Sequence, residues 1–385
     1  MVFSVFSNPH EGAFLPLAEN LSCRMFRGLV AHANSHAEQL GAARVDLGND
    51  AITPRRLSVG GWMPEIGAAS MGIGRGVTKD SWSWISGQLM LAAFLSQLIP
   101  SLELEFTGPH PVTVAGHFLR DERLLFRGDS QQLLVKNGAG QTVLALEKLQ
   151  VPGMAPAWLK SQGNSVRLGN AAVALLGNDE WMSYWLPEGH RGVLSADSRG
   201  DTARLESAMA IMEECIPEYF LWVTTVLREL VLIEAHEHGT QNQSFGLYPG
   251  HVHGSAATVL TALIMLIHEC SHQFLNLLFW HGRLAKPSAP AGYSILKKTK
   301  RPLDRVLVGF HAVGNVLLGL MPLQSFAGRV DREELEKQLR THESWAVALD
   351  EPLRQHGAEH LEEMGKEIYY PLRKRLVDAN LLPPA

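Results

Sequence analysis

The chain has few cysteines and no surplus of basic charge, and each shortage excludes a class of protein. Its three cysteines, Cys23, Cys215 and Cys270, are odd in number and lie far apart. A secreted disulfide scaffold has an even and dense set, so we expect free thiols in a reducing cytoplasm. The formal net charge of −5 lacks the basic excess typical of nucleic-acid-binding proteins. We therefore expect a cytoplasmic protein without a nucleic-acid partner.

The sequence also lacks an uninterrupted apolar run of membrane-spanning length. The run from Ala256 to Ile267 is 12 residues long and then meets His268 and Glu269. A membrane span needs about 20 apolar residues, so this run predicts a buried core helix. The start of the chain, "MVFSVFSNPHEGAF", has no basic segment ahead of an apolar one, and we expect no signal peptide. No membrane association is predicted.

Two hydrophobic patterns divide the chain into a small β-rich part and a larger helical part. The 385 residues are 46% hydrophobic and 19% charged, which is the composition of a folded globular protein. Residues 102–152 alternate apolar and polar positions around a Gly-rich turn at 137–140, which predicts short strands and a hairpin. The sequence therefore predicts an α+β fold, mostly α, with a helical core and a small β-rich region near residues 100–152.

Most of the remaining chain has apolar residues at helical spacing. The stretch at 152–169, rich in Pro, Gly, Ser and Asn, predicts a boundary between an N-terminal α+β region, 1–152, for substrate binding or capping, and a helical domain, 170–385. A loop is expected from Lys286 to Lys300, and Pro217 is expected to break the third predicted helix. The predicted helices are Leu15–Leu40, Ser83–Leu98, Thr202–Glu234, Ser255–Trp280, Leu303–Leu320, Arg332–His356 and Glu359–Val377.

The apolar stretch "TALIMLIHECSHQFLNLLFW" contains a His-Glu-x-x-His motif formed by His268, Glu269 and His272. On a helix, positions i and i+4 share one face, so the two histidines can bind one divalent metal. Polar groups in so apolar a helix each need a partner, because burying them unpaired costs a few kcal/mol. A metal satisfies two of them at once, and the helical core is therefore predicted to bind a metal.

The residues that follow the motif disfavour the common zinc peptidases. The metzincin pattern requires Gly and His at positions that are Leu275 and Leu278 here. Between His272 and Asp304 there is no Asp or Glu, and Asp304 has a simpler role as an acid at a helix start. The third-ligand candidates are therefore His311, which we favour, His281 and Asp304; none is excluded. Two histidines plus a third ligand suit a mononuclear non-haem iron site, whose usual third ligand is a carboxylate.

The segments "SFGLYPGHVHGSAATVLTALIMLIHECSHQFLNLL" and "KRPLDRVLVGFHAVGNVLLGL" have a recognisable order. About 20 residues separate them, and His311 follows Pro302 by nine positions. This arrangement resembles the HEXXH-motif peptide-modification proteins, which include 2-oxoglutarate-dependent HExxH-type peptide β-hydroxylases. The resemblance covers roughly 80 of the 385 residues. The Lys-rich stretch before Arg301 and the N-terminal half lie outside it.

The resemblance implies the cofactors Fe(II) and 2-oxoglutarate, with O₂ as co-substrate. It implies that iron is held by His268, His272 and His311, and that a hydroxyl is added at Cβ of a peptide residue. We expect Arg301 to bind the distal carboxylate of 2-oxoglutarate, because arginine binds carboxylates bidentately. Glu269 is then expected beside the iron ligands, as an orienting group or a proton shuttle. Asn315 and Tyr293 are further candidates for contacting 2-oxoglutarate or substrate.

Two other functions stay open at this stage. The first is a zinc-dependent hydrolase or peptidase in which Glu269 is the general base. The second is a module without catalytic activity, in which the motif is buried and inert. In the hydroxylase interpretation the partner is a peptide or amino-acid substrate, presented by a leader peptide or a carrier protein. The substrate residue and the oligomeric state have no signature in the sequence.

Overall fold

The computed structural model describes residues 3–9, 12, 14–47, 62–149, 157–159, 165–168, 171–176, 193–235, 242–326 and 328–384. The chain forms two compact units. The first, here called the HExxH unit, comprises Met1–Leu17, Arg199–Val223 and Ser255–Ala385. The second, here called the sheet unit, comprises Ala18–Ser198 and Thr224–Gly254. Each unit contains segments that are distant in sequence, and the functional division predicted at 152–169 stays a prediction.

Nine α-helices occur in the described part of the chain, besides short 3₁₀ turns. They are α1 (Phe14–Leu40), α2 (Pro64–Gly74), α3 (Lys79–Leu95), α4 (Ser198–Cys215), α5 (Pro217–Val226), α6 (Val259–Phe279), α7 (Leu303–Leu320), α8 (Arg332–His360) and α9 (Glu363–Asp378). The predicted break at Pro217 is confirmed, because α4 ends at Cys215 and α5 begins at Pro217. Helix α2 was not predicted, since its segment, PEIGAASMGIG, is buried at most positions and has little amphipathic pattern.

The described strands are more numerous than the sequence predicts. They are β1 (Leu102–Thr107), β2 (Val112–Val114), β3 (His117–Leu119), β4 (Arg123–Gly128), β5 (Gln132–Asn137), β6 (Thr142–Leu149), β7 (Ala157–Leu159), β8 (Ser165–Leu168), β9 (Ala171–Leu176), β10 (Glu229–Leu232), β11 (Gln243–Ser244), β12 (His251–Gly254), β13 (Gly292–Ser294) and β14 (Thr299–Arg301). The described residues are about 56% helical and 18% strand, so the predicted α+β fold with mostly α content is confirmed.

The HExxH unit is built around α7. Helices α6, α8 and α9 all pack against it. A Cβ at Gly319 would lie 2.7 Å from Ile267 Cδ1, which shows how closely α7 approaches α6. Helix α6 begins where Thr258 and Thr261 form a reciprocal capping box, which satisfies main-chain donors of the first turn. The motif helix therefore has a defined start and a fixed face toward α7.

The hairpin β13–β14 replaces the loop predicted from Lys286 to Lys300. Its strands pair antiparallel from Gly292 opposite Arg301 to Ser294 opposite Thr299. The prediction was wrong because this hairpin is short and Lys-rich, without the apolar alternation that marks a half-buried strand. Gly292 allows the close approach to α8, since a Cβ there would lie 2.7 Å from Pro352 Cβ.

The sheet unit contains two five-stranded sheets. The first has the order β1-β4-β5-β6-β7, and its adjacent strands are antiparallel. Its β5–β6 hairpin turns at Asn137, whose side-chain oxygen accepts the N–H groups of Ala139 and Gln141. The strands predicted near residues 100–152 and this hairpin are confirmed.

The second sheet has the order β11-β12-β10-β9-β8, in which β10 pairs parallel with both β9 and β12. The predicted helix Thr202–Glu234 is wrong at its end, because Glu229–Leu232 forms β10. This strand is buried at every position, and a short apolar run of that kind cannot be told from helix by periodicity. The pairing of β10 with β9 on one side and with β12 on the other identifies it as a strand.

In the part of the chain that the structure describes, two helices are long and apolar enough to cross a membrane by length and composition alone, Val259–Phe279 and the stretch Leu303–Ser325. Most of each helix is buried inside the protein, as in the core helices of soluble proteins. The structure is therefore compatible with a soluble protein.

Candidate metal centre

Helix α6 brings the two motif histidines together on one face. The ring centroids of His268 and His272 are 4.7 Å apart. One ligand atom from each of His268, Glu269 and His272 lies within 4.8 Å of the others. Imidazole nitrogens and carboxylate oxygens are ligands that bind metal ions such as zinc, at about 2.0–2.2 Å. The three motif residues therefore form a group that can hold a metal.

Burial sets the protonation state of both motif histidines. Loss of hydration lowers the pKa of His268 to about 3, and the charges of His342 and Lys297 act in the same direction. The pKa of His272 also lies well below its ordinary value, first because of burial and then because of His268. Both imidazoles are therefore neutral near pH 7, which is the form that binds a metal.

Glu269 is buried beside them, with 2% of its surface exposed. Burial raises the pKa of Glu269 to about 8, although the charge of Lys297 opposes this shift. Among the described residues, Oε2 of Glu269 has no hydrogen-bond partner. A buried carboxyl oxygen without a partner is costly, and a nearby cation or bound water would remove that cost.

His311 lies on α7 and is fully buried. Its Nε2 is 2.6 Å from the main-chain carbonyl oxygen of Phe6. A carbonyl only accepts, so Nε2 carries the proton and Nδ1 keeps its lone pair. The structure does not place His311 within the 4.8 Å group of the motif. The charge of His311 nevertheless helps to lower the pKa of His268 and of His272, although burial is the larger cause in each case.

Three buried polar atoms of the HExxH unit lack the hydrogen bond that a buried polar atom usually makes. Glu269 Oε2, His272 Nδ1 and His311 Nδ1 have no hydrogen-bond partner in the part of the chain that the structure describes. Imidazole nitrogens and carboxylate oxygens are metal ligands, and neutral imidazole suits both zinc and iron. The residues present therefore fit a bound metal ion, while the choice of His311 as third ligand stays a prediction.

The β13–β14 hairpin supplies positive charge to this cluster. Burial is the largest cause of the pKa shifts of all three motif residues, and the charge of Lys297, in the hairpin turn, is a smaller cause in each case. Arg301, at the end of β14, acts on the pKa of His272 and is half-buried. Lys297 is exposed to solvent. The cluster is therefore accompanied by cations, which favours an anionic ligand next to the metal.

The two other predicted cofactor-binding residues are placed differently from each other. Tyr293 lies on β13 and is 49% exposed. Asn315 is buried on α7, where its Nδ2 donates to the carbonyl of His311 at 2.9 Å. Its Oδ1 accepts the hydroxyl hydrogen of Tyr219 at 3.2 Å. Both ends of the Asn315 amide thus hold neighbouring groups of the protein, and its contact with a cofactor stays a prediction.

The other third-ligand candidates lie outside the metal-binding group. Asp304 lies in the first turn of α7, where its carboxylate accepts the N–H of Arg305 at 2.8 Å. His281 follows the end of α6 and is partly exposed. Among the described residues, no Asp or Glu other than Glu269 joins the group around the motif.

His342 was missed at the sequence level. It is buried on α8, and its Nδ1 donates to the carbonyl of Gln338 at 2.8 Å. Its charge contributes to the lowered pKa of His268. The available signal was helical spacing, because His342 falls on the buried stripe that includes Leu335 and Leu349.

A second buried polar cluster lies in the sheet unit. Glu65, Glu229, His251 and His253 are each at most 2% exposed. Glu65 Oε1 accepts the N–H of Ala115 at 2.6 Å. No short motif contains these residues, because they come from α2, β10 and β12.

No known family model matches the chain, and no curated protein matches it. The resemblance to the HEXXH-motif proteins therefore rests on the motif residues alone.

Proposed function

We propose that this protein is an Fe(II)- and 2-oxoglutarate-dependent hydroxylase that acts on a side-chain Cβ of a peptide or carrier-bound amino acid. The observation that carries the proposal is the combination of the paired motif histidines, which are neutral near pH 7, with cations beside them. His311 is fully buried, His268 and His272 are partly buried, and Lys297 and Arg301 add positive charge that acts on the motif histidines.

This charge pattern favours an oxygenase over a peptidase. An iron oxygenase of this kind must bind a dicarboxylate co-substrate at the metal, and cations nearby stabilise it. Arg301 is the residue that we assign to the distal carboxylate, because its planar guanidinium can donate two parallel hydrogen bonds. A gluzincin-type peptidase requires an acidic third ligand, and no described acid outside the motif joins the group.

The chain's own residues have distinct roles in this proposal. His268, His272 and His311 would hold the iron, and their neutral state leaves a nitrogen lone pair for each bond. Iron with 2-oxoglutarate and O₂ supplies the oxidising power to hydroxylate an unactivated C–H bond. Glu269 would hold a proton beside the ligands without bonding to the metal. The apolar walls of α6 and α7 would keep water away from the reacting groups.

A zinc hydrolase is the second candidate, and one observation favours it. A carboxylate oxygen of Glu269 lies within 4.8 Å of ligand atoms of both motif histidines. A general base that activates a metal-bound water occupies that kind of position. Zinc would then replace iron, and 2-oxoglutarate would have no role.

The variant Glu269→Gln separates these two candidates. Purified anaerobically with Fe(II), the wild-type protein should develop a weak visible charge-transfer band on addition of 2-oxoglutarate, and His272→Ala should lose it. Glu269→Gln should keep the band and retain slower 2-oxoglutarate turnover, measured as succinate release. A peptidase would instead lose activity by orders of magnitude in Glu269→Gln and would show no band. His32→Ala, an exposed histidine on α1, is the matched control.

The same proposal includes the setting of the enzyme. We propose a cytoplasmic protein whose substrate is a ribosomally made peptide, presented by a leader segment, or an amino acid on a carrier protein. Three free cysteines are consistent with a reducing compartment.

A further inference from the structure

The N-terminal segment Phe3–Ser7 forms one short 3₁₀ turn that is anchored to α9. The N–H of Phe3 donates to the carboxylate of Glu367, and the hydroxyl of Ser7 donates to the carbonyl of Ile368 at 2.7 Å. Arg375 donates to the carbonyl of Ser7. Both ends of the segment are therefore held by hydrogen bonds to a single helix.

The middle of the segment is held by apolar burial. The Phe6 ring is fully buried and lies 5.3 Å from the ring of Phe274 and 6.5 Å from that of Trp222, centroid to centroid. Phe274 follows His272 by two residues on α6. Phe6 therefore contacts the helix that carries His272 through its ring and the helix that carries His311 through its main-chain carbonyl.

This placement directs one carbonyl at one imidazole. The Phe6 carbonyl accepts from His311 Nε2 at 2.6 Å, which leaves Nδ1 as the nitrogen with a lone pair. Histidines that bind metals commonly donate their second N–H to a carbonyl or carboxylate, which fixes the tautomer and the ring orientation. His311 has that arrangement, and its Nδ1 is buried without a partner among the described residues.

We infer that Phe3–Ser7 is a positioning element of the metal centre, which holds His311 in its metal-binding tautomer through the Phe6 carbonyl. The inference rests on the metal site of the proposed function, but it does not depend on 2-oxoglutarate or on the reaction. The segment is separated from His311 by about 300 residues of sequence, so local sequence around the motif does not contain it.

A single substitution can turn this carbonyl without removing any side chain of the centre. Ser7→Pro disfavours the helical backbone of Phe6, because the residue before a proline is pushed toward extended angles. The Phe6 carbonyl then points away from His311. Ser7→Ala is the control, since it removes the same hydroxyl and leaves the backbone free to keep its turn.

The measurement is Co(II) affinity of the full chain, from visible absorption titrations with a competing chelator. Ser7→Pro should weaken binding about 10- to 100-fold and change the cobalt spectrum, while Ser7→Ala, which loses only the hydroxyl anchor, should weaken binding much less and keep the spectrum. In a His311→Ala background, Ser7→Pro should cause no further loss, because the two changes act through one interaction. A purely structural role would weaken binding equally in both backgrounds and would overturn the inference.

A second variant keeps the test valid if Ser7→Pro does not fold, as judged by circular dichroism. Glu367→Gln weakens the anchor of Phe3 from outside the centre and should lower Co(II) affinity in the same direction, by less. Unchanged affinity in Glu367→Gln and in a folded Ser7→Pro would overturn the inference, and so would a wild-type protein that binds no Co(II). Cobalt binding without 2-oxoglutarate turnover would instead contradict only the proposed reaction.

Discussion

His251 and Glu229 form a buried hydrogen bond across two neighbouring parallel strands, with 3.0 Å between Nδ1 of His251 and Oε2 of Glu229. The two residues are register partners at the first positions of β12 and β10. Glu65 adds a second buried carboxyl whose pKa is raised by burial and by the charge of Glu229. Two carboxyls in one dry region cannot both ionise without cost.

This arrangement predicts a stability that falls as the pH rises. Burial raises the pKa of Glu65 and of Glu229 to about 8, from an ordinary 4.5. The folded state therefore holds protons that the unfolded chain releases between these values. The stabilising contribution is complete below pH 4.5 and is lost as the pH rises through about 8. Denaturant unfolding at several pH values measures it.

The variant Glu229→Gln should flatten this dependence, because the amide resembles the protonated carboxyl and does not titrate. Between pH 4.5 and about 8, the free energy of unfolding should fall less steeply with pH in this variant than in the wild type. The two slopes should differ by about 1.4 kcal/mol per pH unit, the value for one proton. The exposed Glu122→Gln is the control and should keep the wild-type slope. Equal slopes in all three proteins would show that this carboxyl is already ionised at neutral pH.

Arg301→Gln should weaken 2-oxoglutarate binding without removing the metal. Loss of a hydrogen bond to a charged group costs about 1.5–3 kcal/mol, which is about 10- to 100-fold in Kd. Arg305→Gln is the matched control, because its guanidinium lies 5.0 Å from the ring centroid of Phe279 and is stacked there. Calorimetric titration of the metal-loaded protein measures the Kd. Loss in Lys297→Gln, with Arg301→Gln unaffected, would transfer this role to Lys297.

Gly365→Ala should destabilise the HExxH unit, because a Cβ there would lie 2.0 Å from the main-chain oxygen of Leu284. That oxygen also accepts the N–H of Glu362 at 3.0 Å, so it cannot move away without breaking a hydrogen bond. We expect a loss of at least about 1–3 kcal/mol in the free energy of unfolding.

Gly28→Ala is the contrasting variant for this prediction. It lies inside α1 with no atom within 4 Å of a Cβ, so alanine should stabilise the helix by about 0.5–1 kcal/mol. Thermal melts of both variants measure the difference. Equal shifts of the two midpoints would mean that α9 does not approach Leu284 so closely.

Features that depend on neighbouring residues could be predicted well. The i and i+4 spacing of His268 and His272 follows from helix geometry, and the Asn137 turn follows from its side chain and the glycines beside it. The hairpin β13–β14 and strand β10 could not be predicted, because their short patterns fit several structures until a partner strand selects one. Whether the metal is iron, and which third ligand it takes, are still predictions.

The sequence by itself determined the motif helix, its apolar surroundings and the mostly helical fold, because these depend on periodicity over a few turns. Only the tertiary structure decided what surrounds the motif. Phe6 meets His311 through a main-chain carbonyl, which every residue type carries and no sequence pattern marks. Glu229 meets His251 because two parallel strands pair in one register. Such contacts join residues distant in sequence, and the packing of the whole chain fixes them.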